Sequence, residues 1–125
     1  MVDFQLTEEQ IMIRDMAREF SEEEVLPHAE EWDREGTYPR DAITKAHELG
    51  LLNVTIPEKY GGAGMSTVDE MVICEELSRG DPGFGTASYH TMLASFPILT
   101  GGTEEQKAEY LGRVTEGKLA AYCVT

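Results

Sequence analysis

Apolar side chains recur along this chain at three- and four-residue intervals, the spacing that gathers them on one face of an α-helix. The first such run follows Thr7-Glu8-Glu9-Gln10. That segment is a capping box: the Thr hydroxyl can accept from the Gln10 amide while the Gln side chain reaches back. Ile13, Met16, Ala17 and Phe20 then form one apolar face. Pro27 interrupts it, but Val25, Ala29 and Trp32 continue the spacing, so a kinked or restarted helix is predicted. Gly36-Thr37-Tyr38-Pro39 reads as a loop. A helix over about Asp41 to Leu49 should turn Ile43, Ala46 and Leu49 inward and stop at Gly50, a good left-handed terminator.

The pattern then changes. Leu52-Asn53-Val54-Thr55-Ile56 is too short for a helix and leads into a proline, so it reads as extended or irregular. Gly61, Gly62 and Gly64 crowd a turn where positive φ or close backbone approach is needed. Helical spacing resumes near Thr67 with Val68, Met71, Val72 and Leu77, and Gly80-Asp81-Pro82-Gly83 breaks it. From about Phe84 to Leu99 small and apolar residues predominate, the signature of a helix buried on most sides. A second box, Thr103-Glu104-Glu105-Gln106, opens a last helix through Tyr110 and Leu111 towards Val114. Leu119 to Thr125 reads as a buried strand, and no other segment does so convincingly. The residues after the two boxes do not match, so there is no internal repeat.

Composition narrows the class. A chain of 125 residues that is 41% hydrophobic can bury one core. No run approaches the roughly 18 apolar residues of a membrane span. Asp3 and Thr7-Glu8-Glu9-Gln10 fit neither a secretory signal nor an Arg-rich transit peptide. Cys74 and Cys123 make neither a disulfide framework nor a metal-ligand spacing, Cys74 reads as an inert buried thiol, and a reduced cytoplasmic protein fits best. The net charge of −14, from 24 acidic and 10 basic residues, disfavours nucleic acid and anionic membrane as partners. It is explained either by adaptation to high salt or by a basic remainder of a longer chain.

Candidate chemistry is sparse. The glycines around Gly62 lack a preceding strand and a Gly-Lys-Ser/Thr, so they do not make a phosphate loop. His28, His47 and His90 are scattered without a metal-site arrangement. Glu75 and Glu76 point about 100° apart on a helix and cannot share a substrate. One of them is expected to form an internal ion pair or to cap a neighbouring element. Glu22-Glu23-Glu24 is most simply a solvated face. These residues describe an acidic, all-α chain without a self-contained active site.

Several segments together carry a resemblance. Leu6-Thr7-Glu8-Glu9-Gln10, Pro57 to Gly64, Glu75-Glu76-Leu77-Ser78-Arg79, Tyr110-Leu111-Gly112-Arg113 and Tyr122-Cys123-Val124-Thr125 occur in an order and spacing similar to the N-terminal part of acyl-CoA dehydrogenases. The stretch from Pro97 to Arg113 looks most like the straight-chain, medium-chain type. The resemblance implies an orthogonal bundle of five to six helices over residues 1–118, followed over 119–125 by the first strand of a middle β-domain. It implies FAD as cofactor, a fatty acyl-CoA as substrate, an electron-transferring flavoprotein as electron acceptor and a homotetramer. Tyr122, Cys123, Val124 and Thr125 match the strand that lies against the flavin, and Gly85, Thr86 and Tyr89 match the far end of the acyl tunnel. Tyr89 stands where some medium-chain enzymes carry an acid, which would shorten or reshape that tunnel. The catalytic base and the Glu-Pro-Gly loop of the family have no counterpart here, so no residue is given a catalytic role and the isolated chain is expected to be inactive. Two other readings stay open: a standalone helical interaction module, and a relative acting on another acyl-CoA or on a nitroalkane.

Overall fold

The computed structural model describes residues 4–123. Among these residues there are six α-helices: α1 (Glu8–Phe20), α2 (Ala29–Glu35), α3 (Arg40–Glu48), α4 (Thr67–Gly80), α5 (Pro82–Gly101) and α6 (Glu104–Thr115). Among the described residues there is no β-strand, so the class is all-α. Both Thr-Glu-Glu-Gln segments form complete capping boxes, at α1 and α6. A third box opens α4, where Ser66 and Asp69 satisfy each other's backbone amides.

Pro27 acts as expected and shows how. It cannot donate the hydrogen bond that α1 would need and its ring would meet the preceding turn. The chain answers by widening into a π-turn (Ser21–Val25), closed by Leu26 N–H donating to Ser21 O. It then tightens into a 3-10 turn (Leu26–His28) and restarts as α2.

Helices α1 and α4 run side by side and parallel, tied at both ends. At the start, Gln10 Nε2 donates to Asp69 Oδ1 at 2.8 Å, so the two capping boxes are joined. Near the end, Arg18 grips Glu76 with two parallel bonds of 3.0 and 2.6 Å, and Arg79 pairs with Glu22. Gly80 lets the π-turn close on α4: a Cβ there would stand 2.4 Å from Ser21 Oγ. After Asp81 caps α5 through the amides of Gly83 and Phe84, α5 folds back along α4. Phe84 fills the middle of the core, stacked on Trp32 at 5.9 Å and tilted to Phe20 at 6.1 Å. Phe84, Ile56 and Leu111 are fully buried and Leu77 is 1% exposed; each such side chain contributes about 1.5–3 kcal/mol.

A second cluster of Ile56, Tyr60, Met92, Leu111 and Val114 seats α6. Glu104, in the first turn of α6, accepts from Lys59 Nζ at 2.9 Å and Tyr60 Oη at 2.8 Å. Those donors hold its carboxyl down to about 2.

Three expectations are corrected. Leu49 is 50% exposed rather than turned inward. Gly50 adopts φ +72°, Gly50 N–H bonds His47 O and Leu51 N–H bonds Ala46 O, which is a Schellman stop. The turn redirects the chain, and Leu51, 2% exposed, takes the core position instead. Residues 119–123 form no strand, and Leu119 and Tyr122 are exposed rather than buried. A ladder needs a neighbouring strand, and the described residues contain none. Helix α5 is also less enclosed than its composition implies, since Leu93 and Phe96 are exposed.

Candidate functional site

The most chemically loaded place in the molecule is a cleft between α4, α5 and the loop that follows α3. The Schellman stop at Gly50 delivers Leu51, Leu52 and Asn53 to its rim. Asn53 has φ +58°, a left-handed conformation that asparagine tolerates better than most residues. The loop then closes on itself through Met65 N–H to Val54 O and Gly64 N–H to Ile56 O, both 2.9 Å. Gly62 makes that closure possible, since a Cβ there would lie 2.0 Å from Ile56 O. The loop therefore holds Thr55 against α4 and α5.

Glu70 forms the polar part of the wall. It lies on the line Glu70, Ile73, Leu77 at helical spacing and is only 8% exposed. Thr55 Oγ1 donates to its Oε1 over a long 3.4 Å, and the same hydroxyl lies 3.4 Å from Met92 Sδ. Burial pushes the Glu70 carboxyl above its ordinary range, and the Thr55 bond only partly opposes this. Tyr89 borders the same cleft, its phenol pushed up by burial and then by the charge of Glu70. Asn53 Oδ1 is buried without a partner among the described residues. The free volume is about 20 Å³, room for one water-sized group and not for an acyl chain.

The residues matched to the tunnel therefore separate. Tyr89 lines the cleft. Gly85 is buried at the α4–α5 crossing, where a Cβ would stand 2.1 Å from Ser78 Oγ. It serves close helix approach. Thr86 is exposed and its hydroxyl donates to Pro82 O at 2.9 Å.

Of the residues matched to the flavin strand, Tyr122 and Cys123 are exposed, while Val124 and Thr125 lie outside the described residues. The tail is tied to α5 through Ala120 N–H donating to the buried Thr91 Oγ1 at 3.2 Å. Beyond that tie, the amides of Ala121, Tyr122 and Cys123 meet no acceptor among the described residues. A row of free backbone donors fits one edge of a heteroaromatic cofactor. The described residues offer no cradle for the rest of such a group.

No group of metal-binding side chains occurs among the described residues. No helix there is long and apolar enough to cross a membrane. The expected ion pair is Glu76, with Arg18 and Arg79, while Glu75 is exposed. Cys74 is half-buried beside Ser78 rather than sealed in the core. Glu70, Asn53 and Thr55 escaped the sequence reading. Only the register of Glu70 with Ile73 and Leu77 signals its inward face.

Residues 7–118 match the acyl-CoA dehydrogenase N-terminal domain. A probable medium-chain specific acyl-CoA dehydrogenase 2, mitochondrial, of Caenorhabditis briggsae is 43% identical over 99% of this chain and 31% of its own length. The crystal structure of an acyl-CoA dehydrogenase complexed with FAD from Bacillus anthracis is 35% identical. It superposes with a TM-score of 0.88 over 100% of this chain and 22% of that one. A chain from structural work on the electron transferring flavoprotein of Acidaminococcus fermentans is 44% identical, with a TM-score of 0.83 over 93% of this chain and 31% of that one. The chain thus spans less than a third of the length of these relatives. With its helices, capping boxes and glycine loop all falling inside the matched span, this chain belongs to the acyl-CoA dehydrogenase family, through that family's N-terminal helical domain.

Proposed function

We propose that this chain is the N-terminal part of an FAD-dependent acyl-CoA dehydrogenase that desaturates the α,β bond of a fatty acyl-CoA. The observation that carries the reading is the match over residues 7–118, joined to a superposition over the whole chain with an FAD-bound acyl-CoA dehydrogenase. In this reading residues 1–118 are the helical domain and residues 119–125 lead into the β-domain. FAD, when bound, would supply the hydride-accepting chemistry of that desaturation. Tyr122, Cys123, Val124 and Thr125 hold its edge through backbone donors and the threonine hydroxyl. Thr91 fixes the start of that segment. Tyr89 borders the end of the acyl site, Gly85 sets the helix spacing that places it, and Thr86 lies on the outer side of α5.

In this reading the carboxylate that removes the α-proton is supplied by the C-terminal part of the full-length enzyme, and no residue of this chain is given that role. The exposed Leu93 and Phe96 of α5 and Val68 and Met71 of α4 are apolar surface for further domains and for a homotetramer. An electron-transferring flavoprotein as acceptor is supported by the similarity to the Acidaminococcus chain. Residence in the cytoplasm and a place in fatty acid β-oxidation complete the proposal, with the free thiols Cys74 and Cys123 fitting a reducing compartment.

The test is purification of the full-length protein. Bound flavin, together with bleaching of its absorption by straight-chain acyl-CoA thioesters, is expected. A colourless protein that neither binds nor oxidises any acyl-CoA would overturn the reading and leave a helical interaction module.

A further inference from the structure

Helix α5 buries three hydroxyls, Ser88, Thr91 and Ser95, on one stripe at helical spacing. Two of them turn back on the helix itself: Ser88 Oγ donates to Gly85 O at 3.0 Å and Ser95 Oγ to Thr91 O at 2.7 Å. Thr91 differs. Its Oγ1 accepts from the Ala120 amide at 3.2 Å, joining segments 29 residues apart. The other end of that bond is equally singular: from Glu116 to Cys123 every residue is exposed except Ala120. A second fixed point lies just upstream, where the chain leaves α6. Gly117 has φ +87°, its N–H bonds Val114 O and the Lys118 N–H bonds Arg113 O, which is again a Schellman stop. Gly117 also packs on His47, whose Cδ2 would stand 3.0 Å from a Cβ there. The segment is thus aimed at Gly117 and held against α5 at Ala120. The holding position is rigid, because Met92, next to Thr91, lies in the cluster with Leu111 and Val114 that seats α6. Two residues of chain span at most about 7 Å, so Tyr122 inherits its place from the bond to Thr91.

We propose that Thr91 is a positioning residue for the flavin: its buried hydroxyl sets where residues 121–125 leave the helical domain, and through them where the edge of the cofactor is held. The proposal rests on the reading that the full-length protein holds FAD against Tyr122, Cys123, Val124 and Thr125. Thr91 does not touch the reacting atoms and acts only through that segment. The physical ground is the narrow tolerance of such contacts, which a displacement of about 0.5 Å already degrades. Valine has the shape of threonine without the acceptor, so it leaves the Ala120 amide unpaired and releases the segment. Serine keeps the oxygen.

In the full-length flavoprotein, the dissociation constant of FAD, the absorption spectrum of the bound flavin and its reduction potential are measured for the parent and for three variants. Thr91→Val is expected to weaken FAD binding by about tenfold and to shift both the spectrum and the potential. Thr91→Ser should restore most of each. Ser95→Ala deletes a buried hydroxyl from the same stripe whose bond stays inside α5, and it should match the parent. Parent-like values in Thr91→Val, or equal losses in Thr91→Val and Ser95→Ala, overturn the positioning role while the dehydrogenase reading survives. One measurement needs no variant, so a misfolded valine protein does not decide the matter: after FAD is removed from the parent, the Ala120 amide is expected to exchange slowly, because Thr91 already holds it. Exchange as fast as at an exposed amide overturns the role. A parent that binds no FAD overturns the dehydrogenase reading and takes the positioning role with it.

Discussion

Glu70 and Glu76 are two buried carboxylates six positions apart on the same helix, and their surroundings are opposite. Glu76 lies on the α1 side, where Arg18 donates two bonds and Arg79 a third contact at 3.3 Å. Glu70 lies on the α5 side with one long bond from a threonine. Both are less than a tenth exposed. The Glu76 carboxyl is held below its ordinary range by Arg18, and the Glu70 carboxyl is pushed above it by burial. Burial therefore does not by itself decide the state of an acid; the donors that meet it do. One side of α4 is closed by charged donors, and the other by a single long bond from a hydroxyl.

Breaking the charged side should produce the largest effect. Arg18→Met leaves the buried Glu76 with Arg79 alone and is expected to destabilise the protein more than any of the substitutions that follow. Urea unfolding with an unchanged slope would report it. An unchanged midpoint, ordinary for a solvated pair, would mean that the two sides do not differ in kind.

The two acids should also respond to pH in opposite directions. For Glu76 the folded value lies below the ordinary 4.5, so its contribution is present above that value and fades as pH falls through the lowered one. For Glu70 the folded value lies above 4.5, so its contribution is complete below that value and is lost as pH rises through the raised one. Glu76→Gln should accordingly be less stable than the parent at neutral pH and approach it in acid. Glu70→Gln should match the parent in acid and be more stable than it at neutral pH. Thermal melts across the carboxyl range check both, and parallel curves for the two variants would remove the contrast.

The smallest effect belongs to Thr55→Val, which preserves shape and deletes only a 3.4 Å bond. A cost below about 1 kcal/mol is expected, together with a further widening of the Glu70→Gln gap at neutral pH. A cost equal to that of Arg18→Met would show the Thr55 contact to be as strong as the ion pair.

Local chemistry explains which parts of this molecule are legible from its residues. The Thr-Glu-Glu-Gln boxes, the Pro27 interruption, the Gly50 stop and the crowded glycines around Gly62 each act over a few neighbouring residues, and each takes the predicted form. Glu76 was half legible: its neighbour Glu75 announces a choice, and only the position of Arg18 58 residues away makes it. The Ser66–Asp69 box is equally local, but its Ser-x-x-Asp lacks the Glu or Gln at the third position that marks the other two. The candidate site was harder. Gly85 has the composition of a pocket position, yet its missing Cβ makes room for Ser78. Glu70 follows Asp69 directly, and nothing in that pair tells which acid caps a helix and which enters the core. The orphaned Asn53 oxygen exists only once a left-handed turn, α4 and α5 meet.

The link between the first two capping boxes has a consequence of another kind. Gln10 caps α1 with its oxygen and, with its nitrogen, holds the Asp69 that caps α4. Neither helix can fray at its beginning without loosening the clasp on the other. The amides of Gln10 and Asp69, 59 residues apart, should therefore exchange their hydrogens with solvent at a common rate, as one opening event rather than two.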